Sequence, residues 1–214
     1  MSSSETDNLI QSLARQAGAK RDRTPIAFDR TFLIAAALSL AVSIAMVLVL
    51  VGLRPDLLAV EHRTPFAFKI GSTLSLACGG FFLARRAVRP GSVGLPLSAL
   101  LPGVLLLAFR GATDRSGLPV MGHSDVSAGV CVGVILMVSM PALWLILRVL
   151  RAGAATRPGI AGALAGLLSG ALGAAAYTLG CINDAGLFVA IWYSAAILIM
   201  TGLGAAIGRR VLAW

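Results

Sequence analysis

Apolar residues form six long segments along the chain, each bounded by charged residues, proline or glycine. The segments cover residues 31–53, 66–84, 94–109, 127–147, 158–179 and 187–207. A helix needs about 20 predominantly apolar residues to cross a bilayer, and all but the third segment reach that range. The third is shorter and contains Pro96 and Pro102. The pattern predicts an all-α integral membrane protein, a bundle of six transmembrane helices over residues 31–214.

Composition favours membrane over water as the solvent of these helices. The chain is 57% hydrophobic and only 13% charged, whereas a soluble domain carries about 25% charged residues. The net charge of +9 has two interpretations, a nucleic-acid surface or the basic flanks of cytoplasmic helix ends. With six spans, 13 of the lysines and arginines fall on the side of both termini and 4 on the other. This asymmetry predicts cytoplasmic termini and no direct contact with nucleic acid. Lys69, within the second span, is expected to extend its amine outward to the membrane surface.

Residues 1–30 form a charged tail that precedes the first span. Within it Leu9, Ile10 and Leu13 recur at helical spacing, which predicts a short amphipathic helix in the cytoplasm. A helix of this length is marginal alone in water, so it needs a surface to lie on. The lipid interface and a hydrophobic groove of a partner protein both fit.

Glycines in the last two spans repeat every four residues. Gly162, Gly166 and Gly170 share one helix face, and Gly204 and Gly208 repeat the spacing. Such faces let helix backbones approach closely. The pattern indicates packing within the bundle or, alternatively, a homodimer interface.

Two of the three cysteines share one membrane depth. Cys78 lies in the inner part of the second span, where packing accounts for it. Cys131 begins the fourth span and Cys181 ends the fifth, so both fall near the non-cytoplasmic surface. They are either incidental small residues or a pair of reachable thiols that can be oxidised or can capture a soft metal ion. Further ligands for such an ion could come from His62, His123, Asp125 and Asp184.

No catalytic pattern accompanies these cysteines. The sequence has no Cys-x-x-Cys, no paired carboxylates, no nucleophile with a base and no nucleotide-binding loop. We therefore expect a protein that is not an enzyme and has no resident cofactor, apart from a transient heavy-metal ion at Cys131 and Cys181.

Three short motifs resemble the six-span anti-sigma factors of the "negative regulator of sigma F" (NrsF) type. The tail segment TDNLIQSLA is similar to the family's D-x-L-I-x-x-L-A element. GLRPDL, at residues 52–57, resembles its signature after the first span, and GRRVLAW resembles its closing segment. One position departs: many members have Trp-His in the last span, where this chain has Trp192 and Tyr193. The missing histidine weakens metal coordination relative to thiol modification or disulfide formation.

The resemblance implies an inhibitor that holds an extracytoplasmic-function sigma factor at the bacterial inner membrane. Carried over by position, the sigma factor would be contacted by Asp7, Leu9, Ile10 and Leu13. Cys131 and Cys181 match the family's paired periplasmic cysteines, which are associated with responses to heavy-metal or oxidative stress. The alternative is a small metal or solute transporter, which would give the tail no protein partner.

Overall fold

The computed structural model describes residues 3–19, 25–55, 63–88, 94, 96–117, 119–123, 126–153 and 155–213. The helices in this part of the chain are Ser3–Ala19 (α1), Pro25–Leu50 (α2), Arg63–Ala87 (α3), Leu101–Ala112 (α4), Ala128–Leu150 (α5), Pro158–Tyr177 (α6) and Gly186–Val211 (α7). A 3₁₀ turn, Leu97–Leu100, precedes α4. The strands Gly122–His123 (β1) and Val126–Ser127 (β2) form a small antiparallel pair before α5. The fold is all-helical apart from this pair.

Five of these helices, rather than the predicted six, are long and apolar enough to cross a bilayer. They are α2, α3, α5, α6 and α7. The third predicted span instead forms the 3₁₀ turn and α4, whose 12 residues extend only about 18 Å. The Ala99 carbonyl lies against Gly79, midway along α3. This helical segment therefore begins part of the way along its neighbour, and the predicted count of six spans is not confirmed.

The first transmembrane helix begins earlier than the sequence pattern predicted. Proline is well suited to the first helical position because its missing N–H needs no partner there. Helix α2 accordingly starts at Pro25. The predicted boundary between tail and membrane domain at residue 30 thus falls inside a helix.

Successive helices from α2 to α7 run in alternating directions. The Arg54 N–H donates to the Leu179 carbonyl at 3.0 Å, so the end of α2 lies beside the end of α6. The Arg110 carbonyl lies against Gly186, which brings the end of α4 to the start of α7. We call the end of the bundle that holds Cys131 and Cys181 the thiol end. The opposite end, where α2 begins and α7 finishes, is the basic end.

Helix α6 is the centre of the bundle, and its small residues explain why. Every residue from Leu168 to Thr178 is buried, and α6 contacts α2, α3, α5 and α7. In lipid no hydrophobic force drives helices together, so close packing of small residues takes its place. Gly162 lies against the Gly204 carbonyl, and a Cβ at Gly162 would be 2.7 Å from the Gly208 Cα. Both glycine patterns therefore face each other within one chain, and this face is not available for a homodimer.

Helix α2 is attached along one side only. The Phe32 ring stacks on Phe81 of α3 with centroids 4.8 Å apart. Midway, the Ser43 hydroxyl donates to the Val138 carbonyl of α5 at 2.9 Å. Gly52, with a φ of +87°, ends the helix in the left-handed conformation that glycine adopts without strain. The other side of α2 is exposed, as a lipid-facing surface would be, at Leu33, Ile34, Leu38, Leu48, Val49 and Leu50.

The contact between α6 and α7 predicts opposite effects for one substitution at two glycines. In Gly166→Ala the new Cβ would overlap the Met200 carbonyl and lie 2.9 Å from the Thr201 Cα, so we expect a loss of about 1–3 kcal/mol. At Gly202 nothing lies within 4 Å of the added Cβ, so Gly202→Ala should gain up to about 1 kcal/mol from helix propensity. Thermal unfolding of the purified protein in detergent measures both. Equal stability of the two variants would contradict this packing.

Candidate functional site

A buried ion cluster joins three separate parts of the chain at the thiol end. The Asp184 carboxylate lies between α6 and α7. It accepts two hydrogen bonds from the Arg54 guanidinium, at 3.0 and 2.8 Å, and one from the Lys69 amine at 3.0 Å. The side chain of Arg54 is 0% exposed and that of Lys69 is 3% exposed. Paired, fork-like donation from arginine to a carboxylate is among the strongest side-chain contacts in proteins. The cluster therefore fastens the end of α2 and the start of α3 to the α6–α7 connection.

The two cations also hold the main chain of Cys181. Its carbonyl accepts from Lys69 Nζ at 3.1 Å and from Arg54 at 3.2 Å, while the Asn183 carbonyl accepts from Lys69 at 2.9 Å. These carbonyls follow the C-terminal end of α6, where the helix dipole favours positive charge. Lys69 thus points into the bundle, and the prediction that it extends outward to the membrane surface is wrong. A buried partner carboxylate makes the inward position favourable.

The carboxylate of Asp184 is held in its charged form. Partial burial alone would raise its pKa, but the hydrogen bonds and charges of Arg54 and Lys69 outweigh that effect and lower the pKa below the ordinary value of 3.8. The ion cluster is consequently intact throughout the neutral and mildly acidic range.

Cys131 and Cys181 lie in the same buried region as the cluster. Cys131, on the first turn of α5, is 0% exposed, and Cys181 is 1% exposed. Cys131 lies close enough to Cys181 and to Lys69 for an electrostatic interaction with each of them. Neither thiol is bonded to another sulfur. Both are thus enclosed by protein, which differs from the reachable thiols expected from the sequence.

Two tyrosines enclose these thiols. Tyr177 and Tyr193 have ring centroids 6.1 Å apart, and both lie close to Cys181. The Tyr193 hydroxyl is fully buried, and no described atom makes a hydrogen bond of good geometry with it, although the Cys181 thiol lies within its reach. A thiol is a weak hydrogen-bond partner, so this hydroxyl is poorly satisfied.

Of the additional metal ligands expected from the sequence, Asp184 is the one whose side chain the structure describes. His62 and Asp125 lie outside the described residues, and His123 is in strand β1. Asp184 is already occupied by two cations. Among the described residues no group of three or more His, Cys, Asp or Glu side chains could hold a metal ion. Chemically, a pair of thiols can be oxidised or can bind a soft metal ion.

The tail residues singled out by the sequence lie on α1. Asp7 is exposed. The side chains of Leu9, Ile10 and Leu13 are more than half exposed, at 52%, 58% and 56%. Helix α1 therefore presents three large apolar side chains that the rest of the chain does not cover.

The role of Arg54 and Asp184 as ion partners was missed in the sequence. From the sequence, Arg54 is one of the four basic residues on the non-cytoplasmic side, and Asp184 is only an additional metal ligand. A signal was present, because a lysine within an apolar span usually has a carboxylate partner. Asp184 lies at the same predicted end of the bundle as Lys69, three residues after Cys181.

These features define a helical membrane protein with a buried thiol and ion site at one end and an uncovered apolar helix in its tail. The family model "Negative regulator of sigma F" (NrsF) matches residues 13–214. The chain belongs to this family, whose described role is regulatory rather than catalytic.

Two relatives match along nearly the whole chain. The "Probable anti-sigma-F factor NrsF" of Azospira oryzae is 32% identical over 216 residues, covering 98% of this chain and 100% of the relative. The "Anti-sigma-F factor NrsF" of Caulobacter vibrioides is 33% identical over 218 residues, covering 98% and 99%. No solved structure matches.

Replacing the buried carboxylate should unfold the thiol end at neutral pH. In Asp184→Asn two buried cations lose their counter-charge, so we expect a loss of about 3–5 kcal/mol. Because the folded pKa lies below 3.8, the charge contribution of Asp184 is present above that pH and is lost as the pH falls through the folded value. The difference in thermal stability between wild type and variant should therefore shrink below pH 3.8.

The control for this comparison is the ion pair at the basic end. Arg85 and Asp29 are 2.8 Å apart but 31% and 25% exposed, so Asp29→Asn should cost only about 0–1 kcal/mol. If both asparagine variants were equally stable at neutral pH, the cluster would not carry the proposed energy.

Proposed function

We propose that this protein is a membrane-bound anti-sigma factor that sequesters an extracytoplasmic-function sigma factor through its tail. The observation that carries the proposal is the match, over nearly the full length, to two anti-sigma-F factors. The exposed apolar side chains of α1 supply the contact surface such a role needs. Sequestration at the membrane would keep the sigma factor from RNA polymerase.

The proposal requires the basic end to face the cytoplasm of the bacterial inner membrane. Arginines flank the helix ends there, at Arg30, Arg85, Arg86, Arg148, Arg151, Arg157, Arg209 and Arg210. Cytoplasmic loops carry this excess of positive charge. Because α1 precedes the start of α2 at the basic end, this orientation puts the tail on the cytoplasmic side with the sigma factor. It puts the thiol end on the periplasmic side, where oxidation of cysteines is favoured.

The tail helix would bind as an amphipathic helix in a groove. Leu9, Ile10 and Leu13 fall on one face at the spacing used by helices of this kind, and Asp7 can add a polar contact. The alternative surface, the lipid interface, competes for the same side chains. The proposal requires a hydrophobic groove on the sigma factor that binds the helix more tightly than lipid does.

We further propose that Cys131 and Cys181 sense heavy-metal or oxidative stress. One thiol lies on α5 and the other in the α6–α7 connection, and both are buried, so a group added to either sulfur would disturb tight packing. The signal must favour a state that releases the sigma factor. A hundredfold change in retention needs about 3 kcal/mol of difference between the two states.

The alternative function, a small metal or solute transporter, is less well supported. Both relatives are named as anti-sigma factors, and a transporter offers no use for the apolar face of α1.

Tail substitutions test the partner surface. Leu9→Ser combined with Leu13→Ser removes two exposed apolar contacts, so retention of the sigma factor should weaken by about 100-fold. Gln11→Ser is the matched control, because Gln11 lies on the opposite face of α1 and is also exposed. The measurement is co-purification of a sigma factor, identified by mass spectrometry, with the full-length protein in lipid nanodiscs. Wild-type retention by the double variant would contradict binding through the tail.

Cysteine substitutions test the sensor separately from the partner. Cys131→Ser with Cys181→Ser should keep wild-type retention of the sigma factor and lose its release by cadmium or peroxide, since the reacting sulfurs are gone. Cys78→Ser is the control, because Cys78 is exposed on α3, away from the ion cluster. Transcription of a sigma-dependent reporter in cells reads out release. Normal induction in the double variant would rule out this pair as the sensor.

A further inference from the structure

We propose that the Arg54–Asp184–Lys69 cluster is the latch that transmits a change at the Cys181 sulfur to α2, and through α2 to the tail. The inference rests on the proposed function for its biological meaning. The mechanical link between Cys181 and α2 can be tested without any sigma factor.

Cys181 and the carboxylate of the latch lie on one short segment, residues 181–184. The Cys181 carbonyl accepts from both Arg54 and Lys69, and the Asp184 carboxylate binds the same two side chains three residues later. Residues 181–184 therefore cannot move without stretching several of these hydrogen bonds together. Arg110 adds a longer contact of 3.4 Å to the Asp184 carbonyl.

The Cys181 sulfur is enclosed by neighbouring atoms, so a group added to it must displace some of them. The residue is 1% exposed, its thiol lies 3.8 Å from the Asn183 carbonyl, and Tyr177 and Tyr193 lie close to it. The Tyr193 ring is in turn 6.0 Å from Lys69 Nζ. Close-packed interiors resist added volume. A group bound to this sulfur would therefore displace the 181–184 segment or the tyrosine rings, of which Tyr193 lies next to Lys69. Either displacement would strain the hydrogen bonds of the latch.

The latch holds the C-terminal end of α2 against the α6–α7 connection. Arg54 follows the end of α2 by a few residues, and its N–H bonds to Leu179. A Cβ at Gly180 would lie 2.9 Å from Val51 and 3.0 Å from the Gly52 carbonyl, so the end of α2 rests directly on this connection. Much of the remaining surface of α2 faces outward. Opening the latch frees the end of a helix that is attached along one side only.

Helix α2 extends from the latch at the thiol end to the part of the chain that follows the tail helix. Helix α2 is a single helix of 26 residues, about 39 Å long, so a change of tilt at one end displaces the other. Its beginning at Pro25 lies shortly after α1 in the chain. Through α2 the latch thus links the thiol end to the basic end, without any charge or ligand crossing the bilayer.

The test compares two substitutions at one position, in the full chain in lipid nanodiscs. Cys181→Met has nearly the shape of a cysteine that carries a methylthio group, whereas Cys181→Ser adds no volume. Hydrogen exchange of the 51–55 segment reads the latch, because the Arg54 amide is bonded to Leu179. We expect exchange there to be about tenfold faster in Cys181→Met and unchanged in Cys181→Ser. Lys69→Met, which removes one arm of the latch and keeps Arg54 paired, should also speed exchange in this segment.

Matched controls separate a latch from general damage. Cys78→Met makes the same change on an exposed face of α3 and should leave the 51–55 segment at its wild-type rate. Exchange along the α6–α7 contact near Gly166 should also stay slow in Cys181→Met. Wild-type exchange at 51–55 in Cys181→Met would overturn the proposal, and so would faster exchange spread evenly over the bundle.

Retention of the sigma factor, measured on the same samples, tells the two proposals apart. Faster exchange at 51–55 together with a loss of retention supports both. Faster exchange in a protein whose wild type retains no sigma factor supports the latch and removes the anti-sigma role. Loss of retention in Cys181→Met with unchanged exchange removes the latch and leaves the anti-sigma role standing.

Discussion

The partly buried carboxylate of Asp184 makes the interaction on which the thiol end of this protein depends. Without it, Arg54 and Lys69 would be two cations enclosed in an apolar bundle, an arrangement that burial opposes strongly. With it, the end of α2, the start of α3 and the α6–α7 connection meet at one point. The position of Cys181 follows from the same hydrogen bonds, since its carbonyl completes the environment of both cations. The ion cluster that holds the helices together and the candidate sensor residue Cys181 are therefore parts of one polar site.

A second constraint, close packing around α6, determines where that polar site can form. The glycines of α6 let α7 approach at backbone distance, and the alanines leave room for α2, α3 and α5 on the remaining sides. The ends of six helices consequently converge at the thiol end. Arg54, after the end of α2, and Lys69, in α3, come within hydrogen-bond distance of Asp184 although it is distant from both in sequence. The close packing supplies the geometry, and the ion cluster supplies the directional contacts.

Much of the fold could be predicted from the sequence because lipid imposes simple rules on length and polarity. Five apolar segments were long enough to identify as spanning helices, and the small-residue spacing correctly indicated close packing in α6 and α7. The short α4 was mispredicted because hydropathy cannot show that Ala99 lies partway along α3, against Gly79. The ion cluster does not follow from the sequence pattern, because a charge beside a span is explained by the membrane side it lies on as well as by a partner. Two of its members, Arg54 and Asp184, flank predicted spans, and only Lys69 lies within one. The hydropathy pattern therefore marks Lys69 as unusual and leaves its two partners unmarked.

The burial of the thiols changes how a signal can act. An exposed cysteine could be modified with little effect on the fold, so its chemistry would need a separate route to the cytoplasm. Cys131 and Cys181 are enclosed, so any group they acquire must be accommodated by moving protein. Because the nearest movable segment also carries Asp184, the cost of accommodation falls on the bonds to Arg54 and Lys69. In the proposed mechanism, a group added to the enclosed Cys181 sulfur therefore acts on the fold directly, through the hydrogen bonds that attach α2.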